Sequence, residues 1–466
     1  MSRRVHSPLA AVAALALSAC TTLAPVHERP VAPVPTAFPG GAASGTPAAP
    51  LPDWRTYFRE PALQALVEAS LSGNRELRSA TLAIERARAL YDIRDAERLP
   101  SAGVGASVNR ARGPTGAVGT SYTVGLLASA WEIDFFGRLA SLAESARAQF
   151  LATTEAQRAT QVSLVASVAS TWLSLAHAEA LIELSEGTLA AREDSLRLVR
   201  LRFEHGASSE LDLRQAQSLA ETARATLAQQ KRLRALDLHA LGLLTGQVLP
   251  ADYRTGVPAG GLRLPPLPAG LPSEILTRRP DVMLAEQQLR AANADIGAAR
   301  AAFFPRITLT AGLGSASAQL GSLFTGGTWA FTAAPQLLQP IFDAGRNRAS
   351  LAAAEAARDV AIAQYERVVQ VAFREVADAL ASQATLAEQL QAQQRVAEAE
   401  TGRLQLSKMR FDAGVASQLE LLDAQRAGFA AQQAEIQLRL LALQNQVALY
   451  RALGGGWADT EAAVRP

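Results

Sequence analysis

The sequence predicts a mainly α-helical chain with a membrane β-barrel portion, built from a duplicated repeat of helix, β-hairpin and long helical hairpin. Three observations carry this expectation. The stretches 137–203 and 345–411 contain no proline and are filled with Ala, Leu, Gln, Glu and Arg, which are strong helix formers. Each stretch is preceded by a pair of short runs in which apolar residues alternate with small or polar ones. The two halves coincide when the chain is shifted by 208 positions. At ~1.5 Å per residue each stretch makes a helix on the order of 100 Å long, against a usual ~10–14 residues. No ordinary globular domain buries such a helix, so it lines a fibre, a tube or a bridge between compartments.

The elements follow in order. Arg3 and Arg4 precede an apolar run at 9–17 that ends in Leu17-Ser18-Ala19-Cys20. Too short to span a bilayer, the run reads as a signal peptide over 1–19. Its last four residues resemble the bacterial lipobox, in which cleavage precedes the cysteine and lipid is attached to its sulfur. Thr21, where an aspartate would resemble an inner-membrane retention signal, favours sorting to the outer membrane. Cys20 is the only cysteine, so no disulfide forms within the chain. Residues 20–60 are then a lipid-anchored extended segment, whose part from Thr21 to about Pro52 is rich in proline and offers no core.

The first repeat covers 61–250. Pro61 opens a helix running towards Arg98 and Pro100 stops it. Val104, Ala106 and Val108 make one strand, and Tyr122, Val124, Leu126 and Ala128 a second, with Gly113, Pro114 and Gly116 as turn residues. Residues 131–136 lead into the long helix. Its seam, Val165, Val168, Trp172, Leu175, Glu179 and Ile182, has heptad-like spacing. Gly206 ends that helix, Ser209 caps a return helix over about 210–244, and Gly246 and Pro250 close the repeat. A proline-rich linker spans 251–272. The second repeat, 273–457, has a helix over 281–304 stopped by Pro305 and a strand through Ile307, Leu309, Ala311 and Leu313. A further strand through Trp329, Phe331 and Ala333 ends at Pro335 and Pro340. A second long helix is broken at Gly414, its return helix reaches Leu453, and 458–466 form a tail.

Duplication rests on particular residues. The shift of 208 places Arg202-Phe203 on Arg410-Phe411, Gly206 on Gly414, Ser209 on Ser417 and Ala216-Gln217 on Ala424-Gln425. Pro100 matches Pro305 at a shift of 205, so the second strand pair has a connection three residues longer.

The strands constrain the assembly. Runs of about ten residues with one apolar and one small, polar face suit a tilted membrane strand lining a wet interior. Lipid satisfies no open sheet edge, and the smallest membrane barrels need about eight strands. Four strands per chain therefore require several chains to share one barrel.

Composition excludes other classes. The 45 basic and 43 acidic residues nearly cancel, leaving no electrostatic case for nucleic acid. Histidines at 6, 27, 177, 205 and 239 have no metal spacing, and Gly40-Gly41 and Gly260-Gly261 lie in proline-rich linkers unlike phosphate loops. No enzyme is expected, and no cofactor beyond covalent lipid on Cys20. The alternative is a lipid-anchored periplasmic coiled-coil scaffold or adhesin without a pore, which has no use for paired hairpins at equivalent places.

Several motifs carry a family resemblance: Arg279-Pro280-Asp281, AARAAFFP at 298–305, PIFDAGR at 340–346, Leu422-Asp423-Ala424-Gln425-Arg426 and YRALGGGW at 450–457. Together they resemble the TolC-like outer-membrane factor family, in its lipoprotein branch. The resemblance implies a homotrimer with a twelve-stranded barrel above a twelve-helix periplasmic tube. Such a trimer is a passive duct in a tripartite efflux system, lipid-anchored in the bacterial outer membrane. The implied partners are a periplasmic adaptor and an inner-membrane transporter. It also implies adaptor-contact tips at Leu201, Arg202, Gly206, Met409, Arg410 and Gly414, and a periplasmic aperture at Leu419, Asp423 and Arg426. Residues 419, 423 and 426 share one helical face, which a threefold axis turns into rings. The same spacing also suits a surface pair worth a few tenths of a kcal/mol. The first-repeat equivalents of Asp423 and Arg426 are Gln215 and Ser218, so a gate here is asymmetric.

Overall fold

The computed structural model describes residues 22–38, 51–267 except 113 and 115, and 273–455. The expected signal peptide, Cys20 and the tail lie outside the described residues. The helices are α1 (Trp54–Tyr57), α2 (Pro61–Gly73), α3 (Arg75–Ala96), α4 (Arg138–Glu204), α5 (Glu210–Thr245), α6 (Pro280–Ala301), α7 (Arg346–Asp412) and α8 (Gln418–Ala452). The strands are β1 (Gly103–Arg112), β2 (Val118–Ile133), β3 (Arg306–Ser317) and β4 (Trp329–Leu338). Both long helices, α4 and α7, have 67 residues. The described residues fall into two compact units. One takes its residues from 1–32, 81–156 and 283–368, the other from 33–80, 157–282 and 369–466.

The first unit holds one antiparallel sheet in the order β1-β2-β3-β4, so the two hairpins join through β2 and β3. Val104, Leu126, Leu313 and Phe331 form one row across all four strands, 81%, 55%, 49% and 67% exposed. Such a row left in water is costly, and lipid is the phase that suits it. The adjacent row, on the opposite face, is Gly105, Gly125, Gly314 and Ala330. This is the apolar and small-polar division that the alternation predicts.

Two strand ends differ from expectation. β2 continues through Trp131 to Ile133 because a bulge between Ala128 and Trp131, with Ala130 at φ 51°, inserts extra backbone. The bulge changes the parity, so Trp131 and Ile133 pair with Leu309 and Ile307 on the apolar face. β4 likewise continues past Pro335 to Leu338, and an edge strand tolerates that proline. Below the sheet, Glu132 is buried and accepts two 2.8 Å bonds from Arg138, with Arg306 Nε at 2.6 Å. This carboxylate ties β2, β3 and the start of α4 together.

The segment before residue 33 is extended but held. Glu286 on α6 accepts from Arg29 at 2.6 Å and Arg290 at 2.8 Å, and His27 Nε2 lies 3.6 Å away. Arg300 donates to the Leu23 carbonyl at 3.3 Å, and the hydroxyls of Thr22 and Ser141 are 3.4 Å apart. Arg29 and then Arg290 outweigh its burial and hold its carboxyl below the usual range.

The second unit contains a hydrophobic core around Trp172, Leu173, Leu175, Leu241 and Tyr450. Trp54, Tyr57 and Phe58 belong to it, so the end of the segment expected to be extended supplies three aromatic anchors. Tyr57 stacks on Tyr450 with centroids 4.3 Å apart. The predicted seam residues Val165, Val168, Trp172 and Leu175 are buried, while Glu179 and Ile182 are half-buried. The single helix expected from 61 towards 98 is broken at Asn74. Its Oδ1 accepts from the Leu77 N–H and its Nδ2 donates to the Leu244 carbonyl, both at 2.9 Å. There the backbones of Gly73 and Gly246 approach so closely that no Cβ fits at either.

Arg279, from the Arg-Pro-Asp motif, is buried. It donates to Asp281 at 2.7 and 3.0 Å, to Glu375 at 2.9 Å and to the Ala452 carbonyl at 2.5 Å, joining the start of α6 to α7 and the end of α8. A guanidinium is the side chain whose donors serve three such acceptors at once.

Candidate functional site

The two helical hairpins turn by the same device. Gly206 (φ 72°) and Gly414 (φ 74°) adopt the left-handed conformation that glycine takes without strain. Two turn bonds follow in each: Gly206 N–H to Phe203 O and Ala207 N–H to Arg202 O, then Gly414 N–H to Phe411 O and Val415 N–H to Arg410 O. Ser209 and Ser417 cap the return helices by accepting from the Asp212 and Glu420 N–H groups at 3.1 and 3.2 Å.

Leu201, Arg202 and Gly206 lie at the end of one hairpin, and Met409, Arg410 and Gly414 at the end of the other. The Arg202 guanidinium lies 5.3 Å above the Phe411 ring, so one repeat rests on the other at this end. Arg410 Nε is 3.2 Å from Glu420 across its own hairpin. Leu201 and Met409 are exposed and touch no core.

Within the first three turns of α8, Leu419, Asp423 and Arg426 share a cleft of about 440 Å³ with Gln215, Ser218 and Leu422. The residues paired by the 208-position shift thus face the same space. Asp423 accepts from Arg426 Nη2 at 2.7 Å and from Arg403 Nη1 at 3.2 Å, and Arg403 Nε donates to Glu400 at 2.7 Å. Arg403 and then Arg426 hold the Asp423 carboxyl below the usual carboxylate range. The expected i,i+3 pair is therefore part of a four-residue chain bridging α7 and α8. Arg403 escaped the sequence reading because its partner lies on another helix, twenty residues away in the chain. Leu419 is 59% exposed and lies beside this polar set without packing into it.

Arg192 was also missed. It is buried between α4, α5 and α8 and lines the same cleft. Among the described residues no cluster of His, Cys, Asp and Glu is arranged to hold a metal ion.

The sequence profile of the family described as "Outer membrane efflux protein" matches the chain at residues 66–247 and again at 271–455. The chain is 44% identical over 462 residues to the solvent efflux pump outer membrane protein SrpC of Pseudomonas putida, covering 96% of this chain and 98% of that one. A crystal structure of a membrane protein from Pseudomonas aeruginosa is similar with a TM-score of 0.88 and 41% identity, over 94% of this chain and 98% of that chain. The open state of the Neisseria gonorrhoeae MtrE outer membrane channel has a TM-score of 0.85 and 36% identity, over 94% of this chain and 98% of that chain.

Proposed function

This chain belongs to the outer membrane efflux protein family, whose members are efflux channels of the bacterial outer membrane, and from that premise we propose that it forms a passive homotrimeric duct in a tripartite pump. The observation that carries the reading is the unclosed four-stranded sheet with its row of exposed apolar residues. Among the described residues β1 and β4 each keep an unpaired edge, and in lipid those edges pair with other copies of the chain. Three copies supply twelve strands and four times three long or return helices.

The inner-membrane transporter of the pump supplies the energy, and a periplasmic adaptor engages the tips around Gly206 and Gly414. The Asp423, Arg426 and Arg403 set forms the closed aperture, and adaptor binding turns the hairpins so that these bonds separate. The similarity to a solvent efflux pump protein supports small apolar compounds as cargo. Lipid on Cys20 anchors the chain, two residues before the point where Thr22 meets Ser141. The boundaries 20–60, 61–250, 251–272 and 273–457 divide this duct into anchor, first repeat, linker and second repeat.

The deciding experiment measures mass and single-channel conductance of the complex extracted from outer membranes. A trimer that conducts supports the duct. A monomer, or a trimer that never conducts, supports the lipid-anchored scaffold instead.

A further inference from the structure

Arg192 is 3% exposed, yet no carboxylate pairs with it among the described residues. Its Nη1 donates to the Leu219 carbonyl on α5 at 2.8 Å, and its Cζ lies 4.9 Å from the centre of the Phe429 ring on α8. The Nε–H is buried with no acceptor. Burial alone pushes the guanidinium pKa down, with no opposing charge to offset it. A buried cation held only by a carbonyl and a ring is costly, and an anion is the partner that removes the cost.

The space for one adjoins it. The cleft of about 440 Å³ is lined by Arg192 and by Arg426, a second cation of which only Nη2 is engaged. Its one carboxylate, Asp423, is already shared between Arg403 and Arg426. Gln215 lines the same cleft with its Oε1 buried and unpartnered, and rotation of that amide turns its NH₂ inward as a donor. The lining therefore carries an excess of positive charge and of unused N–H groups.

We infer that this cleft binds a small oxyanion, tetrahedral or carboxylate, held by the guanidinium of Arg192 from one side and that of Arg426 from the other. Guanidinium N–H pairs match the oxygen spacing of such groups, which distinguishes them from chloride. The inference draws on the packing within the second unit and does not depend on the aperture assignment.

The test titrates sodium sulfate into the full-length, detergent-purified protein at constant ionic strength set with sodium chloride, following thermal unfolding. Sulfate stabilises most proteins weakly and without saturation, so the specific signal is a saturable rise. Wild type is expected to saturate in the millimolar range, Arg192→Lys to need at least tenfold more sulfate, and Arg192→Met to lose saturation. Thr222→Glu keeps Arg192 and places an internal carboxylate on the exposed cleft wall, one turn beyond Leu219. It should raise the unfolding temperature without sulfate and abolish the saturable response. This variant decides the matter even where Arg192→Met fails to fold. A wild-type response that never saturates, or the same saturable response in Thr222→Glu, overturns the inference.

Discussion

Gly125 and Gly314 face each other directly across the β2–β3 pair, where the two repeats meet in the sheet. A Cβ on Gly125 would lie 2.7 Å from the Cα of Gly314, and one on Gly314 would lie 2.6 Å from the Cα of Gly125. Neither backbone can give way without parting the strands, so the joint requires glycine on both sides. Gly125→Ala and Gly314→Ala should each destabilise the sheet by about 1–3 kcal/mol, the usual cost of overpacking. Because the two sites touch, the double variant should cost less than the summed singles. Thermal loss of the β-sheet circular dichroism signal measures all three, and strict additivity would contradict the close approach.

The two helix caps predict an asymmetry. At Ser209 the side chain of Asp212 returns a bond to the Ser209 N–H at 3.1 Å, completing a capping box. At Ser417 the corresponding Glu420 turns away to Arg410. Both Ser→Ala variants should weaken the first turn of their helix by about 1 kcal/mol. The effect should be larger at Ser209, where the hydroxyl also contacts the Asp212 carboxylate at 2.7 Å. Hydrogen exchange of the first turns of α5 and α8 gives the comparison.

The aperture proposed around Asp423 carries a pH dependence. Its pKa is held below the ordinary carboxylate value by Arg403 and Arg426, so the folded state binds fewer protons than the unfolded one. The contacts are complete above the ordinary value of 3.8 and are lost as pH falls through the lower, folded-state pKa. Conductance of the reconstituted channel should therefore rise on acidification in that range. Asp423→Ala should raise it at neutral pH and remove the acid step. Unchanged conductance in Asp423→Ala would leave these charges as a surface ion-pair network.

Asp237 has the opposite sign. Burial pushes its carboxyl up to about 6 from 3.8, so the folded state binds the extra proton. Its contribution favours the fold at low pH and is lost as pH rises from about 4 to about 6. Asp237→Asn should flatten this part of the stability profile. At pH 7 it should stabilise the protein by on the order of 1–2 kcal/mol, after allowance for partial exposure of the group. Thermal melts at pH 4, 6 and 8 provide the check.

Cys20 is testable by chemistry. Growth on labelled palmitate should label the wild-type protein and leave Cys20→Ser unlabelled. Equal labelling of the two would remove the lipoprotein assignment.

Elements set by local composition were legible before the structure. The absence of proline and the recurring Gly-x-x-Ser turn marked both long hairpins, and alternation marked which face of each strand is apolar. Breaks made by one polar side chain were harder to see. Asn74 ends a helix because its amide reaches Leu244, a partner 170 residues away, although the Gly73-Asn74 pair was an available turn signal. The bulge before Trp131 is likewise invisible in a count of alternating residues, since it resets the count. Arg192 shows the limit best. On α4 it is one arginine among many, and only the packing of two other helices makes it a buried cation.

The equal length of α4 and α7 restricts how such a protein can evolve. Inserting one residue into either helix would advance everything beyond it by ~1.5 Å and rotate it by ~100°. The Arg202–Phe411 contact would then be lost, since only one of its members would move. Insertions within the shafts are tolerable only as matched events in both copies or in steps that preserve the seam. Drift in length is left to the connecting loops: eleven residues separate β3 from β4 and five separate β1 from β2, a difference that the longer β2 offsets in part to the net three residues seen in the sequence.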